Sequence, residues 1–426
     1  MADEKARRQA FHDADEAMQA IQDLQGEAIE LDEATTSCDG IKEDLSLKHD
    51  QYQWLASLFY FGYLAWEYPT SRLLQMLPLG KYSAACIIIW GSILCCFAGV
   101  TNFSAAFFLG VFEASVTPGF ALLTAQQPGN IWFSFNGWGQ IFGGLVAYGI
   151  AVGTRIHGSA IDPWKIVFLV TGFLTVALGL IFLWVVPDSQ LNARWLKKED
   201  RLLAIARVRV NQQGIGNKHY KKYQIVETLM DPMTWAFFFF AIIANIPNGG
   251  ITNFFNQLIT SFVEIVALLL SGYIGQYTGQ RILCSMGGLV ASIVGMVLIV
   301  ALPLSNNVGR LIGYYMTQAS PTPFVALLAL ISSNVAGYTK KTTVAALYLI
   351  GYCAGNIIAQ KVPSFPPRRP PRYVPAEITL IVCWGVCLMI MAFIWWWYDR
   401  ENKKKALKRA ARTMSAWRTR SVGSDG

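Results

Sequence analysis

A chain of 426 residues, 54% of them hydrophobic and only 15% charged, is not an ordinary soluble protein, in which about a quarter of residues carry charge. Its net charge of +8 gathers in two stretches beside apolar blocks, which ties it to membrane topology rather than to nucleic acid. The apolar residues fall in runs of about 20, enough to cross a hydrocarbon core of about 30 Å as helices, and the runs are continuous rather than alternating, which points away from a barrel.

In chain order, residues 1–50 are acidic and polar and hold no apolar block, so the segment is predicted to be disordered; no apolar stretch follows a basic start, so it is not a secretory signal. Five apolar blocks follow, at 53–75, 82–100, 103–125, 131–153 and 165–186, forming an N-terminal bundle over 51–187. A basic segment at 188–233 separates them from six more, at 235–259, 263–277, 282–302, 311–335, 342–359 and 378–398, which form a C-terminal bundle over 234–398. A basic tail occupies 399–426. The excess of Lys and Arg places both basic stretches in the cytoplasm, and the even number of blocks between them agrees. The odd number before the central segment puts the N-terminus outside. The fold class is therefore an all-α polytopic membrane protein of two helical bundles with about 11 transmembrane helices.

Helix breakers recur three blocks apart. Thr117-Pro118-Gly119 is predicted to break the third block, Asn245-Ile246-Pro247-Asn248-Gly249-Gly250 the sixth, and Ser320-Pro321-Thr322-Pro323 the ninth. Breaks in corresponding places of two halves point to the binding site of a transporter. Glu113 stands just before the first of them, roughly 12 Å into its block. An ionised acid there costs about 2.5–3.5 kcal/mol. A carboxyl that exchanges a proton near the midplane suits a proton-coupled carrier; a neutral Glu in an interhelical hydrogen bond is the structural alternative. Glu67, before Pro69 near the cytoplasmic end of its block, reads as a packing or gate residue, with Arg72 beyond it, and Glu264, opening its block, as interfacial. Asn136 and Gln140 share a helix face beside Gly139, Gly143 and Gly144, which suits either a site wall or close helix packing. Asn334 and Asn356 are intramembrane amides and candidate site residues. Asn253, Asn256 and Gln257 mark a helix end. Gly272, Gly275, Gly279 and Arg281 lie in "GYIGQYTGQR", predicted to be a tight basic turn.

Seven of the eight cysteines lie in apolar blocks as small buried side chains. The four histidines all lie outside the blocks, and neither a metalloprotease or nucleophile-elbow pattern nor a phosphate-binding loop occurs. No enzyme activity, cofactor or metal is expected, and an ATP-driven pump is disfavoured.

"GYIGQYTGQR" resembles the cytoplasmic signature loop of the major facilitator superfamily, with Gln276 and Gln280 in place of the usual Asp and Arg. "DQYQWLASLFYFGYLAWEYPTSRLLQMLPLGKY", "FFLGVFEASVTPGF", "IWFSFNGWGQIFGGLVAYGIA" and the long stretch from "LPLSNNVGRLIGYY" to "GYCAGNII" resemble its fungal anion:cation symporter branch, the allantoate permease group above all. The resemblance implies two six-helix bundles, alternating access and proton-driven uptake of a small organic anion. Allantoate, ureidosuccinate, nicotinate, pantothenate and biotin are typical of the branch. It implies Glu113 as proton carrier, with Tyr63, Gln140 and Asn356 lining the anion site. The membrane is expected to be the plasma membrane, with an intracellular one as the alternative, the protein a monomer, and the proton gradient its only energy source. Relative to that pattern the first helix is missing and several loops are shortened, so an inactive remnant or a non-transporting receptor on the same fold is the competing expectation.

Overall fold

The structure is a computed structural model that describes residues 49–99, 105–123, 129–187, 221–251, 257–303, 306–335, 337–361 and 374–422. The acidic N-terminal segment, most of the central basic segment and the stretch holding Arg368, Arg369 and Arg372 lie outside these residues. All regular structure among the described residues is helical. In the first half are α1 (His49–Met76), α2 (Leu79–Phe97), α3 (Ala105–Glu113), α4 (Val116–Leu123), α5 (Gly129–His157) and α6 (Pro163–Val185). The second half holds α7 (Lys222–Met230), α8 (Pro232–Ile251), α9 (Gln257–Thr278), α10 (Arg281–Ala301), α11 (Asn307–Thr317), α12 (Thr322–Asn334), α13 (Tyr338–Lys361) and α14 (Val374–Val422).

Among the described residues the predicted apolar blocks are helical, but not every block is one plain span. By length and composition alone, α2, α6, α10, α13 and α14 can cross a membrane, and the pair α7–α8, bent by 70°, makes a sixth candidate. The others hold more polar residues or are broken. α14 runs for 49 residues, carrying the last span onward into the basic tail. There Lys403 pairs with Asp399 at 2.6 Å and Lys404 with Glu401 at 2.8 Å.

Close crossings hold each half together. α1 meets α3 where Gly62 lies on the Phe107 carbonyl and Gly110 on the Phe59 carbonyl. α2 meets α6 at Gly91 and Gly172, where a methyl on Gly172 would stand 2.9 Å from the Gly91 oxygen. Gly295 and Gly313 face each other's carbonyls where α10 meets α11, and Gly351 and Gly355, one turn apart, rest on the Phe238 and Ile242 carbonyls of α8. Without a hydrophobic drive between helices in lipid, such backbone proximity supplies the packing contact. The second half adds an apolar core that includes Phe237, Phe240, Leu327, Tyr348, Trp384 and Met391. The halves meet along α1–α13, α5–α9 and α5–α12.

The three expected breaks fare differently. The third block breaks at Ala114–Ser115, between α3 and α4, with Pro118 and Gly119 inside the first turns of α4. Proline has no N–H to give the carbonyl four residues earlier, and its ring crowds that carbonyl, so the break appears at Ala114. As far as it is described, the sixth block is not broken at its expected breaker: α8 runs through Pro247 and Gly250 to Ile251. Membrane helices tolerate proline when neighbours and local adjustments satisfy the freed carbonyl. The ninth block does break, at residues 318–321, with Pro321 as the N-cap of α12 and Pro323 in its first turn. Pro321 and Pro323 can occupy these positions because the first N–H groups of a helix have no internal partner.

The basic turn is also shorter than expected. Gly272 and Gly275 belong to α9, and only Gly279 and Gln280 connect it to α10. Gly279 has φ +70°, a left-handed backbone that glycine adopts without a steric cost. Gly275 leaves room for Arg281 to fold back, since a methyl there would stand 3.2 Å from the Arg281 Cα.

Candidate functional site

The break between α3 and α4 places Glu113 at the last position of α3. Ser115 is fully buried and turns its hydroxyl back onto the Phe112 carbonyl at 2.7 Å. Ala114, also fully buried, has its carbonyl opposite Pro118, which cannot donate to it. Glu113 itself is half-buried, with part of its surface open. A titratable group therefore sits at an interruption of the helical ladder, not within a continuous turn.

Tyrosines surround it. Tyr60 and Tyr63 of α1 and Cys353 of α13 lie within electrostatic reach of the Glu113 carboxyl. The Tyr60 and Tyr352 hydroxyls share a hydrogen bond, and their rings meet edge-on at 6.0 Å. Tyr63 shares one with Thr117, one turn beyond Glu113, and its ring lies 6.2 Å from that of Tyr352. Tyr352 continues the cluster to Phe324 at 5.7 Å, and Phe324 stacks on Tyr348 at 4.8 Å. The Tyr348 hydroxyl donates to the Phe324 carbonyl at 3.0 Å. The result is a lining of phenolic and aliphatic hydroxyls, which can donate to an anion or pass a proton.

The structure brings together only some of the predicted residues. Tyr63 is buried beside Glu113, and Asn356 is fully buried three positions beyond Cys353, its amide nitrogen donating to the Tyr352 carbonyl at 2.9 Å. Glu67 lies one turn past Tyr63, fully buried, and neither of its carboxyl oxygens has a hydrogen-bond partner among the described residues. Half-buried Arg72 follows it toward the end of α1.

Gln140 and Asn334 lie elsewhere. Gln140 sits on the seam between α5 and α9, accepting from the Ser261 hydroxyl at 2.9 Å. Asn334 is the last residue of α12 and is exposed, within 3.4 Å of the Ser333 hydroxyl. Glu264 belongs to the same seam. It is buried two turns inside α9 and hydrogen bonded to Asn136, one turn from the Gln140–Ser261 pair. These two polar rungs make a ladder across the seam. Gly137, not Gly139 or Gly143, gives the close approach there: a methyl on Gly137 would stand 3.0 Å from the Ser261 oxygen, whereas Gly139 and Gly143 face open space. Asn136 sets the face, and its nearest small residue shares it.

Sequence reasoning missed Tyr60, Tyr352, Cys353 and Thr117. Tyr60, Tyr63 and Glu67 recur at helical spacing within one apolar block, a stripe that marks a single buried face; the partners on α13 carry no comparable signal.

A second polar cluster caps the central-loop end of the second half. Lys340, at the start of α13, pairs with Glu227 at 2.9 Å and Asp231 at 3.1 Å. The Gln224 side chain accepts from the Lys340 N–H at 3.3 Å and packs on Gly337, which has φ +94°. These contacts fasten α7 across the base of α13.

Comparison with known proteins agrees with this architecture. Residues 35–360 match the family model described as Major Facilitator Superfamily. The chain is 37% identical over 404 residues to an uncharacterized transporter of Schizosaccharomyces pombe, covering 86% of this chain and 76% of the relative. It is 34% identical over 411 residues to the allantoate permease of Saccharomyces cerevisiae, covering 86% and 74%. It is 28% identical over 395 residues to the thiamine pathway transporter of the same yeast, again covering 86% and 74%.

Proposed function

The chain belongs to the major facilitator superfamily and is a multi-pass membrane transporter, not an enzyme; we propose that it carries a small organic anion together with a proton. What supports the reading is Glu113: a half-buried carboxyl at a break between two helices, with the hydroxyls of Tyr60 and Tyr63 beside it. When protonated, Glu113 adds no charge to the tyrosine cluster. Once ionised, it repels an anion close by and favours its release. Tyr63 and Asn356, on the two halves, supply donors for a carboxylate or ureido group. The cargo class follows the allantoate permease, named for allantoate, and allantoate is the first candidate.

The test is uptake of labelled allantoate by cells expressing the full chain, at acidic and neutral external pH, with and without a protonophore. Accumulation should be greater at acidic pH and collapse with the protonophore. Glu113→Gln should abolish accumulation. A Glu113→Gln variant that still accumulates allantoate as the unsubstituted chain does, with the same pH dependence, would overturn the proton assignment.

A further inference from the structure

Glu67 is a buried titratable group with no part in that proton assignment. It is fully buried in α1, and among the described residues both carboxyl oxygens lack any hydrogen-bond partner. Buried polar groups are nearly always satisfied, and an ionised carboxylate is tolerated in an apolar interior only when paired. A plain packing role would be filled at lower cost by an apolar or amide side chain, so the acid itself needs an explanation.

Its position supplies one. Glu67 follows Tyr63 by one helical turn, about 6 Å along the axis, and Tyr63 lies within electrostatic reach of both Glu67 and Glu113. Cys353 of α13 faces both carboxyls as well. α1 descends toward the same side as α6, because successive spans alternate in direction. Glu67 is therefore nearer the central-loop side than Tyr63. The other titratable groups of packed helices at this level are Tyr82 and Cys86 of α2 and Tyr352 of α13. Tyr82 is engaged with Thr70 at 2.8 Å. Arg72 and Lys81, at the end of the α1–α2 hairpin, do not bond the Glu67 carboxyl.

We propose that Glu67 is a second proton station: the proton taken up at Glu113 passes through the Tyr63 hydroxyl to Glu67 and leaves toward the central-loop side. Glu67 first releases its proton toward the central-loop side; the O–H bond of Glu113 then breaks as Tyr63 accepts that proton and gives its own to Glu67, so the unpaired Glu67 carboxylate exists only in passing. Glu113 ends ionised and Glu67 neutral, and one proton has passed to the central-loop side. The proposal rests on Glu113 as the coupling acid.

Purified full-length chain in proteoliposomes tests it, with labelled allantoate as probe and size-exclusion profiles checking that each variant is folded. Glu67→Gln should lose pH-driven accumulation at least tenfold yet retain allantoate counterflow, which needs no net proton movement. Glu67→Asp should recover part of the accumulation. Accumulation unchanged in Glu67→Gln overturns the proposal, and so does equal loss of accumulation and counterflow without rescue by Glu67→Asp. Normal accumulation in Glu113→Gln would sink the coupling assignment, a separate outcome. Infrared difference spectra after a pH jump give a readout independent of cargo. A protonated-carboxyl band that responds to the jump and disappears in Glu67→Gln supports the relay, and a spectrum unchanged by Glu67→Gln refutes it.

Discussion

Replacing Gly110 by alanine tests the link between helix packing and the site. Gly110 lies three residues before Glu113 on α3, against α1. A methyl at this position would collide with the Phe59 carbonyl oxygen and stand 2.9 Å from both the Phe59 carbonyl carbon and the Tyr63 nitrogen. Comfortable contacts lie near 3.5–4.0 Å, so α1 and α3 must part by at least about 0.6 Å, and by more to clear the oxygen. Overpacking of this kind costs about 1–3 kcal/mol, and a shift of about 1 Å at a reacting geometry lowers rates by as much as about 10²-fold. The expected result is a lower unfolding midpoint, followed by tryptophan fluorescence in detergent, and allantoate uptake reduced by about ten- to a hundredfold. Gly143→Ala is the control, because Gly143 faces open space and alanine favours a helix by about 0.5–1 kcal/mol. If Gly110→Ala unfolds and transports like Gly143→Ala, α1 and α3 do not cross on bare backbone, and the placement of Glu113 beside Tyr63 has lost its cause.

Further outcomes follow from other contacts. Pro118→Ala returns a donor to the Ala114 carbonyl and should join α3 to α4; we expect a higher unfolding midpoint, by up to about 3 kcal/mol of recovered stability, together with slower allantoate uptake. Ser261→Ala removes the bond to Gln140 and should cost about 1 kcal/mol, measured as a lower midpoint. Lys340→Ala frees Glu227 and Asp231, which are partly exposed, so its effect on global stability should be under about 1 kcal/mol. Its mark should be local: faster hydrogen exchange across Lys222–Met230, with the core of α8 unchanged.

What the sequence could reveal is what local physics dictates. The apolar blocks became helices because lipid leaves the backbone no other way to bond itself within one segment. The break after Glu113 was legible from Pro118, but its place was not, because a proline disturbs the carbonyl four residues before it. Pro247 has the same local chemistry and no break, and the difference lies in tertiary surroundings that no window of sequence contains. Tyr63 and Glu113 could be singled out one at a time; that Tyr352 and Cys353 of α13 meet them depends on how α1 and α13 pack. Gln140 and Asn136 were open to two readings, and it took α9 to supply Ser261 and Glu264 as their partners.

The chemical character of the seams also differs in a way that bears on movement. Within each half, helices rest on backbone at glycine: Gly62 and Gly110, Gly91 and Gly172, Gly295 and Gly313, Gly351 and Gly355. Contacts of that kind interlock and leave little room to slide. Between halves Gly137 makes one such approach to the Ser261 carbonyl, but most named contacts run through side chains: Tyr60 and Tyr63 against Tyr352, Phe133 against Phe324 at 6.2 Å, and Gln140 with Ser261. Side chains change rotamers where carbonyl-to-glycine contacts cannot. Displacement between the halves should therefore be concentrated along α1–α13 and α5–α9, while α1 with α3 and α8 with α13 move as units. Glu113 belongs to one such unit and Tyr352 to the other, so the tyrosine cluster around the carboxyl straddles the surface where relative motion is easiest. Under the proposed proton coupling, a proton held there is exposed to each change of packing between the halves, the physical condition for linking its passage to that of a solute.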